Sequence, residues 1–128
     1  MHRSRLCAFI IDCKSEDLDA ATNFWSQALG KPIRPPRSPE EATGPYRELV
    51  VSDQEPMLMT QRVEHTSRIH LDIETDDIDA EVARLEALGA RKVEFIKRWW
   101  VMESPTGQRF CVVRPQRGPL EGKATEWR

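Results

Sequence analysis

The sequence predicts an α+β fold made of two tandem β-α-β-β-β modules, and three observations carry that prediction. The chain echoes itself: Leu18-Asp19-Ala20 through Ala28-Leu29-Gly30 returns as Ile78-Asp79-Ala80 through Ala87-Leu88-Gly89. Each copy is preceded by an apolar, strand-like run, Leu6 to Asp12 in the first and Ile69 to Glu74 in the second. Finally, 128 residues suit one compact domain, for which ~100 to 200 residues is usual, so each copy is half of a domain. The expected organisation is a single domain over 1–128, with module one at about 5–63, module two at about 68–115 and a tail at 116–128.

Leu6 to Asp12 is β-rich and apolar, and it ends in Lys14-Ser15-Glu16-Asp17, where Ser15 or Asp17 can cap a helix by accepting from its first free amides. Leu18, Ala21, Trp25 and Leu29 or Ala28 follow at helical spacing and predict one core face. Gly30 can end the helix in the left-handed conformation that costs other residues more. Five prolines, at 32, 35, 36, 39 and 45, make the next segment an irregular connection with at most a short edge strand. Tyr46 to Val51 and Pro56 to Val63 then read as two strands around the turn Ser52-Asp53-Gln54-Glu55.

The second module repeats this order. Ile69 to Glu74 alternates apolar and polar residues, Asp76 or Asp77 can cap a helix, and Ile78, Val82, Leu85 and Leu88 or Gly89 mark its inner face. Lys92 to Ile96, Arg98 to Glu103 and Phe110 to Arg114 are the remaining strands, the last two joined by Ser104-Pro105-Thr106-Gly107, a proline-glycine turn. The tail from Gln116 is rich in glycine, proline and charge, with Leu120 and Trp127 available to dock.

Composition excludes several classes. A net charge of −2, from 19 basic and 21 acidic residues, gives no field for nucleic acid. Arg34, Arg37, Arg114, Arg117 and Arg128 are read as solvated loop and tail charges. No run is long and apolar enough to be a signal or membrane segment, so the expected location is cytoplasmic, with no membrane partner. Cys7, Cys13 and Cys111 form no CxxC pair, which speaks against a zinc knuckle or a disulfide framework.

The Phe24-Trp25 to Gly30 helix end, the strand His70-Leu71-Asp72 and the run Trp100 through Ser104-Pro105-Thr106-Gly107 to Val113 resemble the glyoxalase-like branch of the vicinal oxygen chelate superfamily, which includes bleomycin resistance proteins and dioxygenases. The resemblance covers about Leu6 to Pro115. It implies that the two modules curl a mixed sheet around a central pocket, and that the chain forms a homodimer. In metal-dependent members four ligands line the pocket: a histidine on the first strand, a glutamate or glutamine on the fourth, a histidine on the fifth and a glutamate on the eighth. Such a metal holds vicinal oxygens and acts as a Lewis acid.

Position by position, His70 matches the fifth-strand histidine and Gln61 the fourth-strand ligand. Aligning the repeats puts Ile10 opposite His70, and neither Ile10 nor its neighbours Ala8, Phe9 and Ile11 can bind a metal. The eighth-strand glutamate falls at Cys111, a soft ligand in a place built for hard oxygen. No complete metal site and no cofactor are therefore expected, and a divalent metal stays open only with Cys111, or a residue in a shifted register, recruited.

What remains is a shaped cavity. Met59, Gln61, His70, Trp100, Met102 and Cys111 are the expected ligand pocket, with aromatic and methionine walls suited to a planar or hydrophobic small molecule. His70 is the single candidate acid or base. Adjacent Trp99 and Trp100 must point to opposite faces of a strand. The favoured function is binding, for sequestration or sensing, of an aromatic or drug-like compound. Two alternatives stay open: a lyase, isomerase or dioxygenase with or without metal, and a protein interaction module with a vestigial pocket.

Overall fold

The computed structural model describes residues 1–128. The chain forms two compact units, one of Ala8–Ile69 and one of Met1–Cys7 with His70–Arg128.

The first unit holds the end of β1 (His2–Cys13), α1 (Leu18–Leu29), α2 (Pro39–Thr43), β2 (Tyr46–Leu49) and β3 (Met57–Arg62). β3 runs parallel to β1, with Ile10 beside Met59 and Asp12 beside Gln61, and antiparallel to β2, with Tyr46 beside Gln61. Asp17 caps α1 by accepting from the Ala20 amide, and Gly30 ends it at φ 67°. The buried face of α1 is Leu18 and Thr22, whereas Leu29, expected in the core, is 46% exposed. A buried hydroxyl explains the rotation. Thr60 on β3 is fully buried and needs a partner; Thr22 Oγ1 lies 2.7 Å from Thr60 Oγ1 and donates back to the Leu18 carbonyl.

The proline-rich segment, expected to carry at most a short edge strand, contributes one bridge, Ile33 with Leu49. Prolines 32, 35 and 36 have no N–H to give a ladder. The same segment instead holds α2, started by Ser38, whose hydroxyl accepts from the Glu41 amide, with Pro39 as first residue.

The second unit contains β4 (Arg68–Thr75) from His70 onward, α3 (Ile78–Ala87), β5 (Arg91–Ile96), β6 (Trp99–Glu103), β7 (Arg109–Val113) and β8 (Thr125–Trp127). β7 runs parallel to β4 and antiparallel to β6, which pairs in turn with β5 around a bulge at Lys92/Glu94. Asp77 caps α3. Val82 and Leu85 of α3 meet Met102 and Val112 of the sheet, with Ile73, Ile78, Trp100 and Phe110 packed around them. The tail contributes a strand that the sequence reading lacks: β8 pairs antiparallel with residues 2–4 of β1. Leu120 is buried, and the Trp127 indole N–H donates to Ser4 Oγ at 2.8 Å.

The strand order is β2-β3-β1-β4-β7-β6-β5, with β8 on β1. This is an open path, and it corrects the expected curled sheet around a central pocket: the end strands β2 and β5 do not pair. Both ends carry the features that keep a sheet edge open. β2 is four residues long, and β5 exposes Arg91, Lys92 and Glu94. No helix is long and apolar enough to cross a membrane.

Candidate functional site

Alternation along β4 sends His70, Asp72 and Glu74 to one face and Leu71 and Ile73 to the other. Ile73 packs on the α3 core, so the polar trio lies on the face away from α3. The register then places Cys111 of β7 beside Asp72. One donor atom from each of His70, Asp72 and Cys111 lies within 4.8 Å of the others. His70 Nε2 is 3.5 Å from Asp72 Oδ1, and both side chains are largely buried, at 13% and 19% exposure.

Asp72 and Glu74 differ in what they bind. Glu74 is fully buried and saturated: Arg5 Nε donates to it at 2.7 Å, and the backbone amides of Gln116 and Arg117 donate at 2.7 and 3.3 Å. It anchors the start of the tail. Asp72 Oδ1 is buried with no hydrogen-bond partner, an arrangement native proteins rarely leave without use.

The six expected pocket residues fall in different places. His70 and Cys111 share the face just described. Trp100 and Met102 lie on the opposite face of β6. Met102 is fully buried in the α3 core, and Trp100 pairs with Val112 and stacks edge-on with Phe95 at 5.2 Å. Trp99, not Trp100, therefore shares the side of Cys111, together with Val101. In the first unit, the Gln61 amide donates to the Tyr46 hydroxyl at 3.0 Å. Met59 joins Tyr46, Pro45 and Glu48 in lining a hollow of about 270 Å³ beside α2. The residue the sequence reading missed is Asp72. Its signal was the His-x-Asp spacing, which on a strand puts both side chains on one face.

The remaining thiols, Cys7 and Cys13, are buried. Burial pushes the Cys7 thiol up to about 12, with the carboxylates of Glu74 and Asp72 adding to the effect. Burial also raises Cys13.

The four-donor set of the metal-dependent relatives does not fit this chain. Ile10 carries no donor, and Cys111 is soft. The three groups that do meet, an imidazole, a carboxylate and a thiol, form an incomplete set drawn from β4 and β7 alone.

The model of the glyoxalase-like domain family matches residues 8–113. A search of curated proteins returned no match. Among solved structures, the chain is similar to a methylmalonyl-CoA epimerase from Mycobacterium tuberculosis, with TM-score 0.58 and 20% identity over 89% of this chain and 88% of that one. A methylmalonyl-CoA epimerase in complex with methylmalonyl-CoA aligns with TM-score 0.63 and 19% identity over 89% and 96%. A hypothetical protein from Bacillus halodurans aligns with TM-score 0.57 and 10% identity over 91% and 97%. These likenesses concern the fold; the match over residues 8–113, which spans most of the chain, establishes that it belongs to the glyoxalase-like domain family.

Proposed function

We propose that this glyoxalase-like protein binds a small molecule on the β4–β7 face that carries His70, Asp72 and Cys111, and that it does so without the four-ligand metal centre of its metal-dependent relatives. One observation carries the reading: the buried Asp72 Oδ1 has no hydrogen-bond partner beside a largely buried imidazole. A buried acceptor of this kind is satisfied when a ligand brings an N–H or O–H to it, which gains the bond and removes a desolvation cost of ~1 to 3 kcal/mol. Trp99 and Val101 on the same face supply apolar area for a planar ligand. The expected assembly is a homodimer of single-domain chains, to be checked by light scattering.

The test is a tryptophan-fluorescence screen of chelator-treated protein against planar amides, phenols and methylmalonyl-CoA, the last chosen because one structural neighbour holds it. Saturable binding that weakens at least about tenfold in Asp72→Asn, as loss of a hydrogen bond to a charged group worth ~1.5 to 3 kcal/mol requires, supports the reading. Binding indifferent to Asp72→Asn and His70→Ala would place the ligand elsewhere.

A second reading rests on the 3.5 Å approach of Asp72 Oδ1 to His70 Nε2. A carboxylate beside an imidazole orients it and stabilises its protonated form, which suits a general base. Deuterium uptake from D₂O at the acidic carbon of a bound carbonyl compound, lost in His70→Gln, is its signature.

A further inference from the structure

We propose that His65 and Arg68, gathered at the buried carboxylate of Asp12, form a binding site for an oxyanion, the phosphate or carboxylate group of a small molecule. The site lies wholly within the first unit and does not depend on the reading of the β4–β7 face.

Strand alternation places Asp12. Ile10 and Asp12 share one face of β1 with Met59 and Gln61 of β3, whereas Ile11 lies beside Thr60, which meets Thr22 of α1. Asp12 therefore points away from α1, and it is 2% exposed. The internal repeat that sets Ile10 opposite His70 also sets Asp12 opposite Asp72. Where the second copy supplies an imidazole from the strand, the first takes one from the loop after β3. That loop is folded onto the end of β1: the Val63 amide donates to the Cys13 carbonyl at 3.0 Å, and the Lys14 amide donates to Ser67 Oγ at 2.9 Å. His65 and Arg68 thereby reach a single oxygen. His65 Nε2 lies 4.0 Å and Arg68 Nε 3.7 Å from Asp12 Oδ2.

Three features suit an anion. A buried carboxylate is costly without cations beside it, so both side chains are held at Asp12 instead of wandering in solvent. The separations exceed hydrogen-bond length, so charge attraction positions the two heads while their donors stay unspent. Finally, the heads reach solvent: the side chains of His65 and Arg68 are 42% and 45% exposed, and Nη1 and Nη2 of Arg68 have no partner in the protein. These nitrogens form the planar fork that takes two oxygens of a phosphate or carboxylate. His65 Nδ1 lies 2.8 Å from the Thr66 carbonyl, an acceptor only, so Nδ1 carries a hydrogen and fixes the ring. An anion at Nε2 favours the doubly protonated ring, in which both nitrogens donate. Of the other charged residues here, Lys14, Arg62 and Glu64 are exposed and leave an excess of one positive charge.

The experiment adds inorganic phosphate or acetate to the full-length chain at constant ionic strength, balanced with sodium chloride, and follows backbone amide and arginine Nε–H resonances in proton–nitrogen correlation spectra. The expected result is saturation by at least one of the two anions, with shifts confined to residues 62–68, the Lys14 amide and the Arg68 Nε–H. The tighter anion identifies the oxyanion as phosphate or carboxylate. Arg68→Gln weakens that binding at least about tenfold, as loss of a hydrogen bond to a charged group requires. Arg114→Gln, which removes an exposed arginine of the other unit, leaves it unchanged. Asp12 acts through Arg68, so in Asp12→Asn the Arg68 Nε–H resonance moves toward that of a freely rotating arginine, a change that lost stability alone does not produce. The wild-type shift map needs no variant and keeps the test decisive where one fails to fold. No saturation by either anion, shifts scattered over the surface as for an adventitious ion only, affinity indifferent to Arg68→Gln, or an Arg68 resonance unmoved in Asp12→Asn each overturns the proposal.

Discussion

Asp72 and Glu74 stand two residues apart on one face of β4, yet the protein uses them in opposite ways. Both acceptor oxygens of Glu74 are engaged, by Arg5 and by the amides of Gln116 and Arg117, so Glu74→Gln sets an amide N–H₂ against donors and leaves Arg5 short of its partner. Breaking a buried pair of this kind costs about 3 kcal/mol, to be measured as a fall in the urea midpoint. Asp72→Asn exchanges an oxygen that accepts no hydrogen bond and stays within about 1 kcal/mol of the wild type, or stabilises it, as is common where a side chain serves binding at some expense of stability. The thiols give a second prediction. Native-state iodoacetamide labels Cys111 and spares Cys7 and Cys13. Cys7 titrates near 12 in the folded chain and at about 8.5 when unfolded. Its raised value gives a contribution fully present below about pH 8.5 and lost as pH rises toward 12, so the alkaline limb of stability is shallower in Cys7→Ala. At this scale the family resemblance brings His70 and Cys111 forward as candidates. The sequence reading missed Asp72 because a strand aspartate looks like any solvated acid until the β4–β7 register sets it beside Cys111. It assigned Trp100 and Met102 to the pocket because parity along β6 cannot say which face meets α3.

Elements show the same division between local and distant causes. Both helix starts and Gly30 were legible, and each cap was narrowed to two residues, Ser15 or Asp17 and Asp76 or Asp77, since a cap acts over three residues. Gly30 sits at φ 67° with open space around it, so Gly30→Ala meets no atom and pays only for the left-handed backbone, about 1 to 2 kcal/mol, read as a lower thermal midpoint. The buried face of α1 was misread because the Thr22–Thr60 pair joins residues far apart in sequence, and helical spacing favours apolar positions over a threonine. β8 was missed because three residues in a charged tail have no periodicity; its place is fixed by Trp127, whose ring lies 3.7 Å from the Arg84 guanidinium. Arg84 in turn donates twice to Glu81, both at 2.8 Å, and His2 Nε2 lies 2.8 Å from the same carboxylate. Burial pushes the Glu81 carboxyl up, but hydrogen bonds from Arg84, His2 and Ser4 outweigh it, and the net shift is downward. A lowered carboxyl gives stability present above its unfolded value of about 4.3 and lost as pH falls through the folded value. Glu81→Gln should therefore flatten the acid limb of the thermal midpoint below about pH 5, and an unchanged limb would move the acid sensitivity to other carboxylates.

For the whole molecule, the half-length repeat raises the expectation of two modules without any view of the sheet, because helices and strands are specified by local pattern. Closure is different. It depends on whether β2 and β5, the two ends of the strand order, find one another, and nothing in either segment encodes that; the curled shape came from resemblance and the open path corrects it. Function has the same character, since the scaffold is shared and only the side chains on one face distinguish this chain. A ligand that binds those side chains must register in global stability, because occupancy of the folded state alone adds RT ln(1 + [L]/Kd), about 2.7 kcal/mol at a hundredfold excess over Kd. With an unfolding entropy of about 2.1 cal/mol/K per residue, a chain of 128 residues gains about 10 °C in thermal midpoint under that excess of an organic ligand returned by the fluorescence screen. The gain should persist with chelator and be absent in Asp72→Asn and His70→Ala at the same ligand concentration. Equal gains in wild type and Asp72→Asn would mean that the ligand stabilises the fold from another surface and that the β4–β7 face does not serve it.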